Sequence, residues 1–240
     1  MQAQHVAIDG SVVTIESDVE LRGGPVTGAG WAVVPSLMQA HPFISYPAGH
    51  SQVIVDALRA NFPDVEVGEE EELSVKGGRL RVGEVGIPRD GGHRRIAVAA
   101  WEGQHGCLTT SMPAERRRTL IEALDTLQFS EEERGVAIQS PVATRPRPPE
   151  LIQEIDGLGV LAVRPAVSIE LERVPREAGH RTRHGEVFRV RADSRALLLL
   201  GRGSVARLQP RAEAGDEELA EAVEGLRIDW TPRPSRRAPR

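Results

Sequence analysis

The stretch His41-Pro42-Phe43-Ile44-Ser45-Tyr46-Pro47-Ala48-Gly49-His50-Ser51 carries the densest chemical vocabulary in this chain. In a protein with 3% aromatic residues it holds the only tyrosine, a phenylalanine and two histidines. Amphipathic rings on a proline-stiffened loop suit the lining of a pocket or the anchoring of a partner. His41, Phe43, Tyr46 and His50, with Trp31 and Trp101, are therefore the candidate binding residues. A plainer reading competes: the loop tucks Phe43 and Ile44 into the core, and Ser51 caps a following helix along Val53, Ile54, Ala57 and Leu58.

Cys107 follows His105 by two residues, which places both on one side of an extended hairpin. A thiolate needs a base or a cation beside it to act as a nucleophile, whereas a lone cysteine within a strand behaves as a small hydrophobe. His50, His105 and Cys107 are the candidate acid–base or nucleophilic residues. His93, His105 and Cys107 would bind a metal only if neighbouring strands brought them together. His180 and His184 have the spacing of a helical zinc pair, but Gly179 and Gly185 flank them and point to a loop. Gly28-Ala29-Gly30 lacks the third glycine of a dinucleotide fingerprint. Neither a phosphate loop nor a nucleophile elbow occurs. No catalytic residue, metal or cofactor is assigned on this reading.

The elements that must position these side chains repeat. Leu120-Ile121-Glu122-Ala123-Leu124-Asp125-Thr126-Leu127-Gln128-Phe129 is followed 99 residues later by Leu219-Ala220-Glu221-Ala222-Val223-Glu224-Gly225-Leu226-Arg227-Ile228, with apolar and acidic positions in the same order. An apolar hairpin precedes each copy, Ile96–Trp101 with Cys107–Thr109, and Ala196–Leu200 with Ser204–Leu208. A repeated strand–strand–helix–strand unit implies an α+β chain of two related modules, each an antiparallel sheet with a packed C-terminal helix.

The expected organisation is an N-terminal module over 1–140 with an extra hairpin and helix, a proline-rich linker over 141–149, a second module over 150–230, and a disordered basic tail over 231–240. Alternation from Val65 to Val98 reads as an antiparallel meander, and Asp9-Gly10 reads as a hairpin turn. In the second module strands are expected near Ile152, at Val160–Val163, Ser168–Val174, Val187–Arg191, Ala196–Leu200 and Val205–Leu208.

Composition narrows the class. Hydrophobic content of 40% with 27% charged residues describes a globular chain. No apolar run is long enough to cross a bilayer, and the N-terminus lacks the pattern of a signal peptide. One cysteine excludes an internal disulfide framework, so the expected compartment is the cytoplasm. Residues 1–140 carry a net charge of −8 and residues 141–240 one of +3, which together give the −5 of the whole chain. This balance, with a single lysine, argues against dedicated nucleic-acid binding.

Gly106-Cys107-Leu108-Thr109-Thr110-Ser111-Met112-Pro113 through Phe129, and Val205 through Ile228, resemble the closing segment of Mog1/PsbP-like domains. The resemblance covers some 25 residues in each half. It implies binding, scaffold or chaperone-like modules, some serving secretion systems, with no catalytic motif to carry over. The leading expectation is a non-enzymatic adaptor, chaperone-like or scaffold protein that binds a protein partner, with an accessory role in a secretion or assembly system as the setting the resemblance implies. The alternatives are a hydrolase-like enzyme using His50, His105 and Cys107, and a self-assembling structural component, a homo-oligomer.

Overall fold

Asp9-Gly10 turns the first hairpin. Gly10 has φ +84°, a left-handed conformation open to glycine at little cost. The Asp9 carboxylate accepts from the Ser11 amide at 2.9 Å, which closes the turn locally. Strands β1 (Gln2–Val6) and β2 (Val12–Glu16) then pair antiparallel, Val6 opposite Val12. These strands belong to a computed structural model that describes residues 1–31, 41–47, 66–68, 70–89, 92–139, 148–171, 174–190 and 195–233. The chain divides into two compact units: Met1–Thr27 with Pro148–Arg240, and Gly28–Arg147. The N-terminal hairpin thus joins residues 148–240 in one unit, not the first module to which the sequence pattern attached it. Strand β3 (Leu21–Trp31) carries the chain from one unit into the other.

The unit Gly28–Arg147 is a meander. β4 (His41–Pro47), β9 (Gly106–Pro113), β8 (Gly92–Glu102) and β7 (Gly78–Arg89) lie side by side in that order, and β5 (Glu66–Val67) and β6 (Glu71–Val75) both pair with β7. Alternation sends Leu80, Val82, Ala97, Ala99, Trp101, Leu108 and Met112 to one face. Pro113 opens a 3-10 turn (Ala114–Arg116) that runs into α1 (Arg117–Thr126). Leu120 and Leu124 of α1 are buried with Leu127 beyond it. Lys76 (φ +53°) donates its ammonium to the Asp125 and Leu127 carbonyls, so the only lysine of the chain caps this helix. After the helix, β10 (Gln128–Glu132) pairs with β11 (Gly135–Gln139).

In the other unit, β12 (Glu150–Ile155), β13 (Gly159–Pro165), β17 (Ser204–Pro210), β16 (Leu197–Gly201), β15 (Glu186–Arg189) and β14 (His180–Arg181) are neighbours in that order. A single helical turn, α2 (Ser168–Leu171), follows β13. Helix α3 (Asp216–Gly225) opens on three acids that suit its positive end, and buries Leu219, Ala222 and Val223. The strand after it, β18 (Arg227–Thr231), pairs with β2 in a separate three-stranded sheet with β1. Val13, Ile15, Leu161, Val163, Leu208, Leu219, Val223, Ile228 and Trp230 form one core. That core uses the inner face of the β12–β13–β17–β16 sheet and leaves the outer face to other uses.

Two expectations are corrected. The described residues comprise 18 strands in several antiparallel sheets, against two ten-residue helices and shorter helical turns, so the class is mainly β and not α+β. Neither ten-residue helix ends its unit, because a strand follows each, and long alternating runs such as the twelve-residue β7 supply most of the structure. Secondly, of the strand expected over Ser168–Val174, the described Ser168–Leu171 is not extended: Glu170 and Leu171 donate their amides back to the Val167 carbonyl, which winds this segment into a helical turn. The apolar alternation of Ile169 and Leu171 imitated a strand at a length too short to distinguish the two. The predicted Ser51 helix, residues 141–147 of the linker and residues 234–240 of the tail lie outside the described residues.

Candidate functional site

The aromatic stretch singled out in the sequence is, over His41–Pro47, a strand inside the sheet. Phe43 is 1% exposed and opposite Thr110 in the β4–β9 register, so its ring belongs to the core. Tyr46 is half-buried opposite Cys107, where burial raises its phenol above the usual range against an opposing hydrogen bond from Thr109. Trp101 is buried too. Its indole donates to the Val75 carbonyl at 2.9 Å, and its ring lies 4.9 Å from that of Phe129. Trp31 and His41 are described by backbone alone, at the end of β3 and the start of β4, and His50 lies outside the described residues.

The nucleophile candidates separate. Cys107 is fully buried, and burial pushes its thiol up to about 12, with Glu102 adding to the rise and Arg81 opposing it. His105 is exposed at the bend before β9, its amide donating to the Glu131 carboxylate at 2.6 Å. His180 and His184 sit on a hairpin, not a helix. His180 Nε2 lies 3.0 Å from the exposed Glu224 carboxylate, and this hydrogen bond lowers the pKa of that carboxylate. Among the described residues no three His, Cys, Asp or Glu side chains gather as metal ligands would.

A cleft is found elsewhere, on the outer face of the sheet in the unit Met1–Thr27 with Pro148–Arg240. Its volume is about 320 Å³. The floor follows from register: Ala162 and Leu198 flank Arg207 on either side, and Arg164 lies opposite Val205. Inward residues of the same strands, Leu161, Val163, Ala206 and Leu208, are buried, so alternation turns these others outward. Gly159 starts β13 at φ +152°. A Cβ there would lie 2.2 Å from the Gln209 carbonyl oxygen, so only glycine allows β17 to approach and fix this register. Pro175 and Val190 line the cleft as well.

One end of the cleft is ionic. Arg164 donates to the Glu150 carboxylate at 2.9 Å and to the Glu170 carboxylate at 3.1 Å. Burial alone would lower the Arg164 pKa, but the two carboxylates outweigh it and hold the guanidinium charged. Glu170 is 7% exposed and reaches Arg164 because α2 is wound and not extended. Both groups are thus fixed in place. Arg207, by contrast, is exposed, and its one hydrogen bond among the described residues goes to the Gln209 side chain at 3.4 Å. Beside the cleft on the same face, Ile152 is 41% exposed and Val160 42%.

Sequence reasoning passed over this site. Its only signal was the outward phase of β13 and β17, where Ala162, Arg164, Val205 and Arg207 alternate with core residues. The pairing of Arg164 with Glu150 and Glu170 depends on a turn that the sequence read as a strand. No protein-family model matches the chain, and no curated protein matches it in sequence.

Proposed function

We propose that this protein is a non-enzymatic binding protein, an adaptor or chaperone-like scaffold, which engages a protein partner on the outer face of the β12–β13–β17–β16 sheet. The observation that carries the reading is the half-apolar cleft with Ile152 and Val160 exposed beside it. Large aliphatic side chains grouped on a sheet face, next to a concave site that sets apolar walls beside charged groups, suit a contact surface. The enzymatic alternative drew on Cys107, whose sealed and protonated thiol is a poor nucleophile. An accessory role in secretion or assembly is the context that the Mog1/PsbP-like resemblance implies. A lone cysteine fits a cytoplasmic setting. No helix among the described residues is long and apolar enough to cross a membrane.

The test is capture from the native cell with wild type and with Ile152→Glu and Val160→Glu, circular dichroism confirming that both variants fold. The reading expects one partner to be retained by wild type and lost by both variants. Equal capture by all three proteins contradicts it. A self-assembling component would instead show as a large particle by light scattering.

A further inference from the structure

The two guanidiniums of the cleft differ in what remains for a ligand to bind. Arg164 has its donors aimed at Glu150 and Glu170, and this network braces α2 against β12 and β13. Arg207 stands between Ala162 and Leu198 on the sheet face, and no described carboxylate pairs with it. A guanidinium between two apolar neighbours favours an anion attached to an apolar body, because the neighbours partly desolvate the ion pair and the body covers them.

The apolar surface also runs past the cleft. Ile152 lies abreast of Ala162 in the β12–β13 register, and Val160 follows two residues from Ala162 on the same face. A row from Leu198 through Arg207 and Ala162 to Ile152 crosses four strands, roughly 14 Å at the usual strand spacing. A metabolite filling about 320 Å³ would leave the Ile152 end uncovered. An extended chain would cover it.

Resting on the adaptor reading above, we propose that the partner is recognised through an extended acidic–aliphatic peptide segment. One aliphatic side chain enters the cleft against Val190, Leu198 and Val205, and a carboxylate of the same segment pairs with Arg207. Arg164 is a positioning residue, since Glu150 and Glu170 occupy its donors.

The experiment is fluorescence anisotropy with the full chain and three fluorescein-labelled peptides in a Gly-Ser context, carrying Leu-Glu, Leu-Gln or Ser-Glu at the centre. The Leu-Glu peptide is expected to bind, with the other two weaker by about tenfold or more. Arg207→Gln should abolish the preference for Glu over Gln and keep that for Leu over Ser, and Arg207→Lys should restore part of it. Val190→Asp, at the exposed rim, should remove the preference for Leu. Undiminished Glu preference in Arg207→Gln overturns the proposal. So does binding of octanoate with the same Arg207 dependence while no peptide binds, which would make the occupant a small amphiphilic anion. If Val160→Glu abolishes partner capture but the peptides are not discriminated, the outer-face reading stands and only the acidic–aliphatic assignment falls.

Discussion

His5 and Cys107 show how burial sets the chemistry of single side chains here. The Nε2 of His5 is buried without a hydrogen-bond partner, and burial pushes the imidazole down to about 4. The folded value lies below the unfolded one of about 6.5, so above that pH both states are neutral and the residue contributes no pH dependence. As the pH falls from about 6.5 toward 4, the unfolded chain takes up a proton that the native state refuses, and stability declines. At pH 5 the loss from this residue is about 2 kcal/mol relative to pH 7. Urea unfolding at both pH values should show His5→Phe with a smaller decline than wild type; equal declines would contradict it. Cys107 makes a companion case. Its buried thiol should resist an aromatic disulfide reagent in the native protein and react with one equivalent after denaturation. Rapid reaction in the native state would show the site to be open.

At the scale of elements, Trp101 ties β8 to β6 through the Val75 carbonyl and fills the space beside Phe129. Trp101→Ala should cost about 3–5 kcal/mol in denaturant unfolding, and Trp101→Phe less, since it keeps most of the packing and loses only the hydrogen bond to the Val75 carbonyl. Identical losses would mean that the hydrogen bond and not the ring volume dominates. Strands were legible wherever alternation was long: β7, β8 and the Asp9-Gly10 hairpin follow from apolar spacing and turn residues alone. Both ten-residue helices were legible from the spacing of Leu120 and Leu124, and of Leu219 and Val223. Class was not, because helical segments with strong stripes outweighed the many short strands in the pattern. His41–Pro47 misled through its prolines, which stand at the second and last positions of β4 and leave the Phe43–Tyr46 core of that strand free to pair. The cleft was hidden for a different reason. It needs β13, β16 and β17 in register and Glu170 brought back over β13, and pairing partners distant in sequence leave no local mark.

At the scale of the whole chain, the unit Met1–Thr27 with Pro148–Arg240 is closed by segments from opposite ends of the sequence. β2 pairs with β18, so residues from the start and the close of the chain share one sheet, and Ile15 and Ile228 meet in one core. Gln153 reinforces this by donating to the Arg22 carbonyl at 2.8 Å, and Asp156 by donating its amide to the Glu20 carbonyl at 2.9 Å. A protease site introduced between residues 141 and 147 should therefore yield two fragments that still co-elute in size-exclusion chromatography under native conditions. Separate elution would contradict the closure of the first unit by both chain ends. The same unit presents the outer face on which the functional reading rests. Its most direct test is a photo-crosslinking amino acid placed at Val160, compared in the native cell with the same amino acid at the exposed Glu133 of the other unit. The account expects one adduct of defined mass from position 160 and none from position 133; no adduct at 160, or the same adduct at both, would contradict it.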